Sequence, residues 1–166
     1  GYINGAGRYY RGADFQTGAR FLTDNAGDFF VNLSIAYVDD ERRSDTPGDP
    51  YVTIMEQERR LRSRSYLSAS WTKNDWAAGV STSRIGSMNY QSPRWDGKPN
   101  TKIDPYYDIG AFVRYDIEDG HYVALSVSNL MDDVPKKNSD LGWPWFATYY
   151  YSPVGRELFL TYRYTF

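Results

Sequence analysis

Residues 107–117 read Tyr107-Asp108-Ile109-Gly110-Ala111-Phe112-Val113-Arg114-Tyr115-Asp116-Ile117. The odd positions are apolar or aromatic, whereas Asp108, Gly110, Arg114 and Asp116 occupy even positions. Successive side chains of a β-strand point to opposite faces of the sheet. Alternation over this length therefore predicts a strand with one apolar and one polar face, and it is incompatible with the period of a helix.

The same alternation recurs on both sides of this segment. Outside it, the clearest example is the series Phe29, Val31, Leu33, Ile35 and Tyr37. Together these patterns predict about seven antiparallel strands in an all-β fold. The predicted strands occupy residues 9–23, 28–40, 59–71, 75–86, 106–117, 121–130 and 155–166.

Short turns alternate with long loops between these strands. The short turns are Asp24–Gly27, Thr72–Asp75 and Glu118–Gly120, and they recur about every 47 residues. Asn, Asp and Gly adopt turn dihedrals that other residues resist. The connections between these hairpins are long and contain Pro and Gly, as in residues 44–50 and 91–99. The pattern predicts a series of long hairpins.

Strand length favours a membrane barrel over a soluble sheet. Most predicted strands have about 10–15 residues, whereas soluble strands average about 5–6 and a tilted bilayer-spanning strand needs about 9–11. Outer-membrane barrels also combine short periplasmic turns with long extracellular loops. A soluble β-sandwich would alternate too, but with shorter strands. A propeller of similar period would need four strands in each repeat.

The charged positions predict which face meets lipid. An arginine facing the acyl chains at the membrane midplane costs about 2–4 kcal/mol. We therefore expect Ile109, Val113, Leu158 and Leu160 to face lipid. The charged residues expected to face the lumen are Asp108, Arg114, Asp116 and Arg163.

Composition is compatible with this fold, and it excludes disulfide bonds and transmembrane helices. The chain has 166 residues, a net charge of −2, no cysteine and 17% aromatic residues. No apolar run approaches the roughly 20 residues of a transmembrane helix. Its mean hydropathy of −0.65 does not argue against a barrel, whose strands alternate lipid-facing and lumen-facing residues. The chain lacks an initiator Met and a leader pattern, which indicates either a removed signal or an internal start.

The C-terminal third contains three motif segments. They are Asn129-Leu130-Met131-Asp132 followed by Pro135, then Gly155-Arg156, and the terminal strand Glu157–Phe166. In this combination the C-terminal third resembles the TonB-dependent outer-membrane receptors, and Met131 stands where that family usually has Phe.

The resemblance implies that residues 1–166 are the C-terminal part of a transmembrane barrel domain, which has 22 strands in that family. It implies energised uptake of a scarce ligand, above all an iron–siderophore chelate, at the bacterial outer membrane with a periplasmic C-terminus. The implied partners are the upstream strands and plug, the TonB complex through an upstream region, the barrel-assembly machinery, and lipid with lipopolysaccharide. The terminal strand also resembles the signal read by that machinery, at Gly155, Leu160, Tyr162, Tyr164 and Phe166.

No catalytic pattern is present, and we expect no enzymatic activity and no cofactor. His121 is the single histidine, and its position after Gly120 favours a turn residue over a base. The acidic runs at 39–41 and 132–133 are compatible with calcium but are more typical of solvated strand ends. The basic run at 59–64 suits an anionic ligand or lipopolysaccharide phosphate, although a solvated strand extension is the simpler interpretation.

The aromatic loop between the last two strands is the most suggestive binding segment. Aromatic rings stack on sugars and chelates, but they also pack between loops. The candidate ligand-binding residues are Trp143, Trp145, Phe146, Tyr149 and Tyr150. We expect this loop at the cell exterior.

A chain of about seven strands is not expected to close alone, because single-chain bacterial barrels have even numbers of strands, from 8 upward. The first and last strands should therefore pair with strands outside this sequence. A structural or adhesive outer-membrane barrel made by oligomerisation is the alternative to a transporter.

Overall fold

The computed structural model describes residues 7–55, 60–90, 101–118, 120–137, 143–146, 148 and 150–164. These residues form strands connected by turns and irregular segments, and none of them forms a helix long and apolar enough to span a membrane. The seven long strands predicted from the alternation are confirmed. They are β1 (Arg8–Phe21), β2 (Asp28–Arg43), β4 (Ser63–Lys73), β5 (Trp76–Ile85), β8 (Tyr106–Glu118), β9 (His121–Ser128) and β10 (Glu157–Arg163).

Three short strands were not predicted, because two or three residues are too few to show an alternating pattern. They are β3 (Val52–Thr53), β6 (Met88–Tyr90) and β7 (Thr101–Ile103). β3 pairs with the last two residues of β2, Arg42 and Arg43, and β6 pairs with β7 as a separate two-stranded ribbon. The predicted boundaries also need correction. β4 begins at Ser63 rather than 59, and β9 ends at Ser128 rather than 130.

The long strands form one antiparallel sheet in chain order, β1-β2-β4-β5-β8-β9-β10. Each long strand pairs with the next long strand in the chain, which is what hairpins joined by short and long connections produce. Within the described residues β1 and β10 do not pair with each other, so the sheet is open.

The short turns have specific local causes. At the first, the Thr23 hydroxyl accepts a hydrogen bond from Ala26 N and donates one to Gly27 O, and Gly27 adopts φ 88°. Asn74 (φ 50°) and Gly120 (φ 85°) provide the left-handed residue of the other two turns. Asn and Gly tolerate this region better than other residues, so these turns are encoded locally.

One face of the sheet is apolar from edge to edge. Phe15, Leu33, Leu67 and Ile109 lie on it, and the central row runs across all seven long strands in register. That row is Ala19, Val31, Ala69, Val80, Ala111, Val127 and Leu158. This face is open: Val80 is 57% exposed and Leu158 69% exposed.

The opposite face is polar and lines a hollow of about 620 Å³. Because five adjacent strands, β4, β5, β8, β9 and β10, contribute to its lining, the sheet curves towards its polar side. Little of the chain is buried. Among the described residues, the buried hydrophobic side chains are Ile54, Met55, Ala77, Met88 and Tyr151.

Candidate functional site

Six of the sixteen residues that line the hollow on the polar face are serines. A register row of polar and small residues crosses β1 to β8: Gly18, Asn32, Ser68, Ser81 and Gly110. Ser70, Ser83, Ser126 and Ser128 add further hydroxyl groups to the same surface. The hollow therefore combines serine hydroxyl groups with apolar side chains, and Asp108 is the charged residue of its lining.

The row next to it, towards the short turns, contains aromatic residues that the alternation did not predict on this face. It runs Arg20, Phe30, Ser70, Gly79, Phe112, Ser126 and Phe159. The Phe112 ring covers Gly79, where a Cβ would lie 2.5 Å from its Cε1 atom. A glycine at position 79 thus lets this ring lie flat on the neighbouring strand.

Asp108, Arg114, Asp116 and Arg163 all lie on the hollow side. Arg114 forms an ion pair with Asp116 at 2.8 Å, and its guanidinium lies 5.1 Å from the Tyr122 ring centroid. Arg163 pairs in register with Tyr122. Three of the four charges therefore form a group near the short turns.

Asp108 lies near the other end of the hollow and has a structural partner. Its Oδ1 atom accepts a hydrogen bond from Asn129 N at 3.1 Å. Asn129 in turn donates from Nδ2 to Asp133 O at 2.6 Å and to Val154 O at 3.3 Å, and its Oδ1 accepts from Asp133 N. Asn129 is only 5% exposed, so these contacts fix the point at which the chain leaves β9.

The Asn-Leu-x-Asp and Gly-Arg motifs form one interlocked unit. Asp132 Oδ1 accepts from Arg156 N at 2.7 Å across the connection from β9 to β10. A Cβ at Gly155 would lie 2.6 Å from that same oxygen, so the close approach requires a glycine. Asn129 and Asp132 both have positive φ, at 48° and 57°. These motif residues close the last hairpin at its long connection.

The aromatic loop divides into a packed part and an exposed part. Phe146 and Tyr150 pack against Met88 and Tyr151 together with Leu61, Ile85, Ile103 and Tyr106. Trp143 remains 81% exposed, and Trp145 is 44% exposed with Lys137 Nζ 5.9 Å from its ring centroid. Tyr149 lies outside the described residues. Of the candidate set, only Trp143 and Trp145 present broadly exposed rings.

Tyr151 is the centre of the packed part, and the sequence interpretation did not single it out. It is 7% exposed, and its ring lies 5.2 Å from that of Tyr106. Burial, with a smaller contribution from Tyr150, raises the pKa of the Tyr151 hydroxyl. Ile85 and Tyr106 pair on the hollow side of the sheet, so this aromatic cluster lies on that side, at the end with the long connections. The density of Tyr in residues 149–151 was the available signal.

The acidic run at 39–41 is engaged in ion pairs. Asp39 accepts from Arg11 Nε at 2.7 Å, Asp40 pairs with Arg42 at 2.7 Å, and Glu41 accepts from Arg8 Nε at 2.6 Å. Glu41 is 3% exposed. The pairs of Asp39 with Arg11 and of Glu41 with Arg8 tie the long-connection ends of β1 and β2 together, whereas the Asp40–Arg42 pair lies within β2. The described residues contain no group of three or more His, Cys, Asp or Glu placed to hold a metal ion.

The residues that resemble an assembly signal lie mainly on the apolar face. Leu160, Tyr162 and Tyr164 are 77%, 61% and 46% exposed, whereas Gly155 serves the turn described above and Phe166 lies outside the described residues. His121 joins the two tyrosines: its Nδ1 atom lies 3.0 Å from Tyr162 Oη, and its ring centroid lies 4.1 Å from that of Tyr164. His121 is therefore part of an aromatic group at the short-turn end.

Comparisons of the chain with protein-family models, curated proteins and solved structures gave no match. Functional inference accordingly rests on the chemistry of the two faces, the two edges and the connections.

Proposed function

We propose that the chain is part of a transmembrane β-barrel, with its apolar face against lipid and its hollow facing a water-filled lumen. The observation that carries the proposal is the apolar row, which crosses all seven long strands on a solvent-exposed face. A soluble monomer rarely exposes one contiguous apolar patch above a few hundred Å², so a face of this extent needs a cover. Acyl chains provide that cover at no cost to the apolar side chains.

The positions of the aromatic residues on the apolar face support this placement of the sheet in the membrane. Trp76 and Tyr115 pair on the apolar face near the short turns, with ring centroids 4.7 Å apart, and Tyr162 follows on β10. Tyr37 and Tyr107 occupy the other boundary of the same face, and both are exposed. Outer-membrane barrels have aromatic girdles at both interfaces. The two sets of rings are compatible with an apolar band between them.

The open edges imply that the barrel needs further strands. β1 and β10 each have one strand neighbour in the sheet. In a membrane, each unpaired backbone group would cost several kcal/mol. We infer that β1 and β10 pair with strands outside this chain, either upstream in the same polypeptide or in another.

The most specific functional proposal is a TonB-dependent outer-membrane receptor that takes up a scarce ligand, with an iron–siderophore chelate as the preferred class. The motif resemblance at residues 129–135 and 155–166 supports it, and so does the interlocked hairpin that those residues build. Trp143 and Trp145 are the exposed aromatic residues that would meet a ligand arriving at the long connections. The bacterial outer membrane is the proposed location, with the short turns and the C-terminus on the periplasmic side.

Spin labels at neighbouring positions of β8 test the membrane placement. A label at Val113 should be accessible to oxygen dissolved in lipid, and a label at Arg114 should be accessible to a water-soluble nickel complex. The complete polypeptide that carries this chain is used, in lipid vesicles. The opposite accessibilities would refute the assignment of the two faces, and water accessibility at both positions would refute the membrane proposal.

A structural or adhesive barrel built from several copies of the chain remains the second candidate, because the same open edges favour it. Cysteines placed at Thr17 on β1 and Thr161 on β10 distinguish the two. Crosslinking of residues 1–166 into closed oligomers in detergent would support the second candidate. A complete polypeptide in which both edges pair with its own upstream strands would support the receptor.

A further inference from the structure

Arg84 lies on the apolar face of the sheet, on the side opposite to the hollow. It belongs to the register row Ile35, Ser65, Arg84 and Tyr107, which crosses β2, β4, β5 and β8. An arginine in the middle of a lipid-facing band would be costly, so its distance from the middle is decisive.

The height of Arg84 matches the boundary of the apolar band. On β5, Val80 in the central row lies midway between Trp76 and Arg84. At about 3.3 Å per residue, Trp76 and Arg84 are separated by about 26 Å along the strand. A strand tilt of about 40° reduces this to roughly 20 Å across the membrane, compared with an apolar band of about 25 Å. The Arg84 backbone therefore lies about 10 Å from the middle, roughly 2 Å inside the edge of the band. Its guanidinium bonds to Ser63, which lies two residues further out on β4, so the long side chain brings the charge to the headgroup level at the long-connection boundary.

Two hydroxyl groups hold the guanidinium in place. Arg84 Nε donates to Tyr107 Oη at 3.2 Å, and Nη1 donates to Ser63 Oγ at 3.0 Å. No hydrogen bond from Nη2 is found among the described residues. The guanidinium is thus partly oriented before a ligand arrives, and it keeps donors for an oxyanion, which a guanidinium binds with two parallel hydrogen bonds.

Arg84 also differs from the nearby arginines in its ion pairing. Arg11 and Arg42, at the same end of β1 and β2, pair with Asp39 and Asp40. None of the ion pairs found in the described part of the chain involves Arg84. At the other boundary, Lys73 donates to the Asn25 carbonyl oxygen at 2.6 Å. Arg84 is therefore a cation on the apolar face with no acidic partner among the described residues, whereas the cation at the other boundary, Lys73, is bound to a backbone carbonyl.

We propose that Arg84, with Tyr107 and Ser63, forms a binding site for the phosphate group of an outer-leaflet lipid headgroup. This inference rests on the proposed membrane placement. The acyl chains of that lipid would lie on the apolar row below, and its phosphate would accept hydrogen bonds from the guanidinium and from the hydroxyl groups.

The test measures lipid selectivity by electron paramagnetic resonance. The complete polypeptide that carries this chain is reconstituted in phosphatidylcholine vesicles containing spin-labelled phosphatidic acid or spin-labelled phosphatidylcholine. The Arg84→Gln variant should lower the preference for phosphatidic acid by roughly three- to tenfold, the range for a partly exposed charge-assisted contact. Arg64→Gln is the matched control: Arg64 pairs with Ile85 on the hollow side, so this variant loses the same charge but should keep the preference.

Equal preference in the wild type and Arg84→Gln would overturn the inference, and so would an equal loss in Arg64→Gln. Displacement of the labelled phosphatidic acid by inorganic phosphate at millimolar concentration would assign the site to free anions and would also overturn it. The spin labels at Val113 and Arg114 separate this failure from failure of the membrane placement. If those labels report lipid and water as expected, only the phosphate site is refuted.

Discussion

A charge at Val80 provides the sharpest test of which solvent covers the apolar face. Val80 lies in the central row between Ala69 and Ala111 and is 57% exposed. In water, an arginine at so exposed a position would change the free energy of unfolding by only about 0.5 kcal/mol. Against acyl chains near the midplane it would cost about 2–4 kcal/mol. The same substitution thus gives two different results in the two solvents.

The neighbouring residue supplies the matched control. Ser81 pairs with Ser68 and Gly110 and lines the hollow, so Ser81→Arg places the same side chain one residue further along β5 on the other face. If the hollow is wet, this variant should change the free energy of unfolding by no more than about 0.5 kcal/mol. Val80→Leu controls for size and should also be tolerated, because the face is open.

The assay is reversible urea unfolding of the complete polypeptide in lipid vesicles, followed by tryptophan fluorescence. Val80→Arg should lower the equilibrium constant for folding by roughly 30- to 700-fold, which is 2–4 kcal/mol expressed as a ratio. The reasoning fails if Val80→Arg and Ser81→Arg have equal effects. It also fails, with the faces exchanged, if Ser81→Arg alone is costly.

Three further substitutions test the connections. Gly155→Ala should destabilise the last hairpin by about 1–3 kcal/mol, since the alanine Cβ would overlap Asp132 Oδ1. In urea unfolding, the double variant with Asp132→Ala should recover part of this loss. Exact addition of the two single-variant changes in unfolding free energy would exclude the contact. Glu41→Gln should lower the free energy of unfolding by about 1–3 kcal/mol. The loss is smaller than for a fully buried ion pair, because the partner Arg8 is 56% exposed. An unchanged midpoint of urea unfolding would contradict a stabilising role for this ion pair. Tyr151→Phe should be neutral or stabilising by about 1 kcal/mol, because its buried hydroxyl has no hydrogen-bond partner among the described residues. Since the pKa of Tyr151 is raised in the fold, the folded state loses stability as the pH rises above the unfolded pKa of about 10, where the unfolded chain releases this proton more readily. A pH titration of unfolding should show a smaller alkaline loss in the phenylalanine variant, and identical alkaline profiles would contradict this.

The sequence by itself determined the strands, their turns and their two faces. Alternation at residues 107–117 is a property of neighbouring residues, and a one-residue shift would move every side chain to the opposite face. The three short turns were equally local, because Gly27, Asn74 and Gly120 supply the left-handed residues that the turns need. Pairing within the β1–β2, β4–β5 and β8–β9 hairpins followed as well, since consecutive antiparallel strands pair when short turns join them.

The tertiary structure decided which of the notable residues are structural. The Asn129 and Asp132 side chains hold backbone groups more than twenty positions away, at Val154 and Arg156, so no local pattern could assign their role. The aromatic loop looked uniform in sequence, but the fold buries Tyr151 and leaves Trp143 exposed. Likewise, the curvature towards the polar face and the hydrogen bonds of Arg84 to Tyr107 and Ser63 depend on neighbours in other strands. Contacts between distant residues arise only when the whole sheet has formed, and for that reason burial and charge pairing could not be derived from alternation alone.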